Sequence, residues 1–322
     1  MSRTTLTVGA VLALVFFTGC AVHQPLERRT ASSWALPVAQ GPVGVRVMSF
    51  NLRRPVPTDL LNEWTFRRDA AVRAIELVDP DVLGTQEAVA SSVRFLEKKL
   101  PGYEVVSAGR NDGDDAGEMT AVFYKADRFT LLDHGHFWFS ERPERPGSRA
   151  WGAWWPRMCT WVELRDDRTG QSFFTFNAHL SSASANARQR SAELLRERVE
   201  LLAHGSPVVV LGDFNTDADT GPHRTLTAGG TLTDTHQAVF PFRSDDENTR
   251  HRFLGYTRGE RIDWVLASPD LTVVTAGILN QKINGQWVSD HFPVAAELTL
   301  PAERRPILAD VRFEGDPFAP AR

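Results

Sequence analysis

Side chains able to hold a cation or move a proton recur at the ends of apolar runs in this chain. "PVVVLGDFNTD", residues 207–217, shows the pattern most sharply: valines and a leucine lead through Gly212 into Asp213, Phe214 and Asn215. A short apolar run bounded by turn residues reads as a buried strand. With strand alternation, Asp213 and Asn215 share one face and Phe214 takes the other. An acid and an amide at the mouth of a core strand suit a catalytic site, and equally the start of a turn. The same kind of ending appears as "SFN" at Asn51, "TQE" at Glu87, "NAHL" at His179, "RID" at Asp263 and "SDH" at Asp290 and His291.

Carboxylates, amides and imidazoles dominate this set, and there is no nucleophile motif centred on serine or cysteine. Oxygen donors without thiolate suit a hard divalent cation, Mg²⁺ first and Mn²⁺ second, with Glu87 and Asp290 the leading ligands. His179 and His291, each with an acid available, suit general acid–base work on a P–O bond.

Positioning these residues requires strands and helices in a particular order. "VGVRVMSFNL" reads as a strand, "WTFRRDAAVRAIELV" as an amphipathic helix and "PDVLGTQE" as a strand ending in Glu87. "SSVRFLEKKL" is a second helix. "YEVVSAG", "EMTAVFYK" and "FTLLDHGHFWF" follow as strands, then "MCTWVEL" and "SFFTFNAHL" as a hairpin across "RDDRTGQ". The longest helix, "ANARQRSAELLRERVELLAHG", is closed by Gly205. "PVVVLGDFN", "RIDWVLAS", "LTVVTAGIL" and "FPVAAELTL" are the last strands. Strands and helices intersperse without strict alternation, which predicts mixed sheets with helices outside them rather than a barrel.

In this order, "N…QE…NxHL…GDFN…RID…SDH" resembles the endonuclease/exonuclease/phosphatase superfamily of Mg²⁺-dependent phosphoesterases. The resemblance covers about residues 43–300 and implies an α/β fold, a four-layer α/β/β/α sandwich. "GEMTAVFYKADRFTLLDHGHFWFSERPERPGSRAW" is further similar to a bacterial branch of that superfamily. The resemblance implies a role for each residue. Asn51 and Glu87 lie by the metal, with Glu87 a direct ligand, and Asp290 is the second acidic ligand or acts through water. His291 is a catalytic imidazole held by Asp263. His179 contacts the phosphate or protonates the leaving oxygen, with Glu118 as its partner. Asp213 orients or deprotonates the attacking water, and Asn215 hydrogen-bonds a phosphate oxygen.

Other features have plainer readings. "HGH" places His134 and His136 on one strand face, but no acid completes a ligand set, so packing is expected. "NDGDDAGE" (111–118) fails the spacing of a calcium loop and reads as a solvated acidic loop ending in Glu118. Trp138 is expected in the core, whereas "GSRAWGAWW" reads as a loop whose indoles are free to stack a base, a sugar or a lipid surface. Arg157 and Arg190 are equally readable as phosphate clamps or surface charges. Arg53 and Arg54 follow Asn51 directly and add positive charge beside the metal, favouring a substrate with more than one phosphate.

With 42% hydrophobic and 24% charged residues, the 322-residue chain has the composition of a globular protein. Its net charge of −4 weighs against a non-specific nucleic-acid binder. Residues 1–19 read as a lipoprotein signal peptide: Arg3, an apolar run from Leu6 to Phe17, then Thr-Gly before Cys20. Cys20 is the expected lipidation site, with a simple secretory signal as the alternative. Residues 20–42 read as a polar tether, 43–300 as the enzyme domain and 301–322 as a charged, proline-rich tail. If Cys20 carries lipid, Cys159 has no partner and is expected to be a buried small hydrophobe. The expectation is thus a monomeric, exported, membrane-anchored phosphodiesterase or phosphatase acting on a phosphorylated small molecule or lipid. A nuclease, with nucleic acid as its partner, and a non-catalytic binding lipoprotein are the alternatives.

Overall fold

The computed structural model describes residues 44–301. Signal segment, Cys20, tether and all of the tail beyond Pro301 lie outside the described residues.

Two six-stranded sheets form the centre. The first contains β1 (Gly44–Asn51), β2 (Val82–Gln86), β3 (Tyr103–Val106), β4 (Val122–Lys125), β11 (Thr272–Ile278) and β12 (Val294–Thr299), in the order β11-β12-β1-β2-β4-β3. The second contains β5 (Phe129–Trp138), β6 (Met158–Asp166), β7 (Ser172–His179), β8 (Val208–Asp213), β9 (Thr233–Asp234) and β10 (Asp263–Ala267), in the order β5-β6-β7-β8-β10-β9.

Each sheet has one parallel pair at its middle, β1 with β2 and β7 with β8, and its other pairs are antiparallel. A parallel neighbour requires a crossover. Helix α1 (Trp64–Val78) supplies it in the first sheet and α3 (Ala185–Ala203) in the second. Both crossovers therefore deliver strand C-termini to the same edge of their sheet, which is where a ligand site forms in open α/β sheets.

Side-chain alternation builds the layers. Val45, Val47, Val82, Val162, Leu164, Phe173, Val209 and Leu211 fill the space between the sheets. The opposite face of the first sheet packs Met48, Phe50 and Leu83 against Ala71, Ile75 and Val78 of α1 and Leu96 of α2 (Ala90–Lys99). Phe176, Val210 and Trp264 on the outer face of the second sheet meet Leu195 and Val199 of α3. The result is the expected four-layer α/β/β/α sandwich. Its capping follows local chemistry: Ser184 accepts from Ala187 N at the start of α3, and the left-handed His204 and Gly205 end that helix.

The hairpin across 166–171 forms as read from the sequence, and Cys159 and Trp138 are buried as expected. Short elements not expected from the sequence are α4 (Gly221–Thr227), α5 (Thr235–Val239), β9 and the 3₁₀ turn Pro57–Asn62. At five to seven residues, α4 and α5 are too short for helical periodicity to register.

Candidate active site

Strand register brings the polar strand endings together. His179 lies beside Asp213 in the parallel β7–β8 pair, and Asp263 lies opposite Asp213 in the antiparallel β8–β10 pair. Asn51 pairs with Gln86 at the end of the first sheet, so Glu87 is the first residue beyond it. The chain leaves the strand there sharply, with Glu87 in the left-handed region at φ 55°. Opposite-sheet contacts close the gap: Asn51 Nδ2 donates to Asp213 Oδ2 at 2.9 Å and reaches Glu87 Oε1 at 3.3 Å.

Among the described residues two groups of three potential ligands result, Glu87–His179–Asp213 and Asp213–Asp263–His291, in each of which one ligand atom per residue lies within 4.8 Å of the others. Asp213 belongs to both. Asp290 stands beside them rather than in them; its Oδ2 is 3.9 Å from Arg53 Nε and its backbone carbonyl accepts from His251 and Arg252.

Electrostatics follow from this crowding. Burial, then the charge of Asp263, pushes the Asp213 carboxyl up to about 7. Burial would depress His291, but Asp263, whose Oδ2 is 2.9 Å from Nδ1, outweighs it together with Asp213 and Asp290 and raises the imidazole to about 10. Asp290 is raised by burial and by Glu87. Glu87 is held down despite its burial, by His291, the Arg54 amide, Arg53 and Asn51. His179 is pushed well below its ordinary value by burial and then by Arg157 and Arg110. It is therefore neutral, so its 4.0 Å approach to Glu118 is not an ion pair.

The expected pairing of Glu118 with His179 is accordingly loose. Glu118 Oε2 bonds Arg110 Nη1 at 2.5 Å, with Arg157 at 3.7 Å, while Arg54 lies 3.5 Å from Oε1. Arg157 also sits 2.8 Å from the ring nitrogens of His179, of which only the unprotonated one accepts. Arg157 is thus a buried part of the site, whereas Arg190 is exposed on α3 and pairs with Glu193. Arg53 is committed to Asp59 through two hydrogen bonds, so its charge is largely answered.

Asn215 departs from simple alternation. The strand ends at Asp213 and Asn215 is left-handed at φ 52°, its N–H on Asp213 Oδ1 and its Nδ2 donating to Leu180 O at 3.1 Å. Phe214 does anchor the turn, stacked on Trp264 with centroids 4.2 Å apart. His134 is exposed and His136 Nδ1 meets Thr160 Oγ1, without an acid, as packing predicted.

Sequence reading did not single out Arg110, Gln86, Asn177 or Ser289. Gln86 Nε2 donates to Asn177 Oδ1 at 2.7 Å, and Asn177 Nδ2 donates to Thr85 O and Ala121 O, tying the sheets together one residue before Glu87 and two before His179. Ser289 Oγ donates to Asn51 O at 2.6 Å and fixes the turn that carries Asp290 and His291. The signal for the amides was their place just ahead of the chemical residues, one position before in "QE" and two before in "NAH". Arg110 had no such signal, since it lies in a polar loop.

The donor set fits a hard divalent cation. Buried carboxylates gather at one edge with imidazoles and no thiolate, Asp263 Oδ1 is buried without a hydrogen-bond partner, and the thiol of Cys159 is fully buried and held protonated.

Residues 48–291 match the profile of the Endonuclease/Exonuclease/phosphatase family. Among solved structures, the chain is similar to an endonuclease/exonuclease/phosphatase family protein from Bacteroides thetaiotaomicron, at 32% identity and a TM-score of 0.75, covering 80% of this chain and 98% of that one. It is similar to a mannosyl-6-phosphatase from the same organism at 32% identity and a TM-score of 0.75, covering 80% of this chain and 100% of that one. A protein of Acanthamoeba polyphaga mimivirus is 26% identical over 184 residues, 54% of this chain and 68% of that protein.

Proposed function

Because this chain belongs to the Endonuclease/Exonuclease/phosphatase family, and so is a metal-dependent phosphoester hydrolase, we propose that its cation is Mg²⁺ and its substrate a small phosphomonoester. One observation carries the substrate reading: three guanidiniums, of Arg54, Arg110 and Arg157, converge on the single carboxylate of Glu118 beside His179. That excess of positive charge suits the dianionic phosphate of a monoester better than the single charge of a diester. Likeness to a mannosyl-6-phosphatase supports the same class and makes phosphorylated sugars the substrates to test.

Glu87 and Asp290 are the residues to hold Mg²⁺, with the Asn51 side chain beside them; Mn²⁺ is the alternative cation. When bound, the cation neutralises charge on the phosphoryl oxygens. Asp213, aligned by Asn51, takes a proton from the attacking water, and a carboxyl poised near neutrality suits that task. The His291 imidazolium, held by Asp263, faces the developing negative charge. Neutral His179 donates a hydrogen bond to a phosphoryl oxygen, and Arg157 aligns it. Water attacks phosphorus in line and the bond to the leaving oxygen breaks with its electron pair. That oxygen takes up a proton from solvent to leave as the alcohol, and no covalent enzyme intermediate forms. We further propose that the enzyme is exported and tethered through lipid on Cys20; the lipobox-like sequence before it supports this.

The test is hydrolysis of p-nitrophenyl phosphate, mannose 6-phosphate and bis-(p-nitrophenyl) phosphate, with Mg²⁺ and with EDTA, beside Asp213→Asn. Monoester hydrolysis that is lost with EDTA and in the variant is expected. Turnover of the diester alone overturns the monoester reading.

A further inference from the structure

A pocket of about 270 Å³ lies across Arg157 from His179, lined by Trp154, Trp155, Arg157, Ser181, Ser182 and Ala183. Arg157 belongs both to this pocket and to the catalytic edge, where it meets His179 and Glu118. It is 8% exposed, so a fixed cation forms the boundary between the two spaces.

The indoles lining the pocket are unusually open, with Trp154 72% and Trp155 59% exposed. Their loop is nevertheless pinned. Trp151 packs partly against the core beneath α3, and its carbonyl accepts from Ser184 Oγ at 2.9 Å and from Asn186 Nδ2. Trp151 and Gly152 are both left-handed, at φ 57° and 85°, and turn the chain outward. A Cβ at Gly152 would come 3.1 Å from Ser184 Oγ, so the close approach to the helix cap also favours glycine. Arg149 Nη1 donates to Trp154 O at 2.7 Å, and the Arg110 guanidinium lies 5.9 Å from the Trp155 ring centre. Adjacent exposed tryptophans on an anchored loop mark a binding surface, because apolar area of this kind is otherwise left in water.

The lining also selects a ligand class. Two indole faces, two hydroxyls and one guanidinium offer stacking and scattered hydrogen bonds, but no side-chain amide or carboxylate to read a base edge. At roughly 30 Å³ per water, the space equals about nine waters, the scale of one sugar ring. We infer that Trp154 and Trp155 form a leaving-group subsite that stacks the pyranose ring of a sugar phosphate whose phosphate lies at His179 and Arg157. This inference rests on the monoester reading above and adds the recognition of the group released.

The experiment compares kcat/KM of the full chain for mannose 6-phosphate or glucose 6-phosphate with that for glycerol 3-phosphate, which has no ring. In Trp154→Ala and Trp155→Ala the ratio is expected to fall about two- to tenfold, the loss of one aromatic stacking contact. Trp→Phe variants are expected to recover most of it, and Phe242→Ala, at an exposed position in another loop, leaves the ratio unchanged. Unchanged melting temperatures separate the effect from misfolding. An unaltered ratio, or equal losses on both substrates, overturns the subsite while the monoester reading stands. Loss of binding to phosphatidylglycerol–phosphatidylethanolamine vesicles with an unaltered ratio assigns the tryptophans to a membrane and also overturns it. A wild type that hydrolyses only diesters removes the monoester reading and the subsite with it.

Discussion

Asn51 and Asp213 are 162 residues apart in sequence and joined by a 2.9 Å hydrogen bond across the two sheets. Asn51 ends β1 and Asp213 ends β8, so this bond is where the two halves of the sandwich become one site. Its donor also reaches Glu87, and its Oδ1 accepts from the Arg53 amide. Asn51→Ala should therefore lower kcat about 10²-fold or more, by releasing the carboxylate proposed above to activate water. Steady-state kinetics on a variant with native circular dichroism checks this.

Asp263 Oδ2 lies 2.9 Å from His291 Nδ1, and the proposed role of Asp263 is to hold that imidazole. Asp263→Asn keeps the shape and removes the charge, so kcat should fall about 10²- to 10⁴-fold. The His291 imidazole should at the same time leave its native value of about 10 and titrate lower. Histidine-resolved NMR titration of wild type and variant is the measurement, and an unmoved His291 would count against this role for Asp263.

His236 gives a stability prediction away from the metal edge. Its ring is buried with neither nitrogen hydrogen-bonded, and burial followed by the Arg261 charge lowers it to about 4. The unfolded chain binds this proton more readily, so the contribution is complete above about pH 6.5 and is lost as pH falls towards 4. The loss for this one residue is on the order of 3 kcal/mol. Urea unfolding of wild type and His236→Gln between those limits should show a shallower acid slope in the variant.

Gly84 lies where side chains of the second sheet press close against the first. A Cβ there would lie 2.0 Å from Leu211 Cδ1 and 2.9 Å from Asn177 Cγ. Leu211 has rotameric freedom to yield, but Asn177 is tied to Gln86, Thr85 and Ala121. Gly84→Ala should cost about 1–3 kcal/mol, read as a lower melting temperature. Activity should fall with it, since Asn177 sits two residues before His179.

Chelation should abolish hydrolysis in the full chain, and added Mg²⁺ should restore it. Glu87→Gln should weaken Mg²⁺ binding measured by calorimetry, because it removes a charged oxygen donor from an edge without thiolates. An unchanged affinity would move the cation to the other ligand group.

Most of the architecture was legible because its elements are long and patterned. The helix Trp64–Val78 and the strands around "VVVLGD" announce themselves through period and burial. Polar residues at strand C-termini pointed to Asn51, Glu87, His179 and Asp213. Asp263 instead begins β10 and His291 precedes β12, reaching the same edge because those strands run antiparallel to β8 and β1. Short α4 and α5 gave no period to read.

What the sequence alone determined was the inventory of reactive groups and the strands they adjoin, both local properties of composition and spacing. Which groups touch was decided by tertiary structure. Arg157 and Arg190 were indistinguishable as text; folding buries one beside His179 and leaves the other on a helix surface with Glu193. Glu118 passed to Arg110, a residue eight positions earlier with no local signature. The reason is physical: hydrogen bonds and desolvation act over a few ångströms, and only packing of two distant sheets brings residue 51 within that range of residue 213.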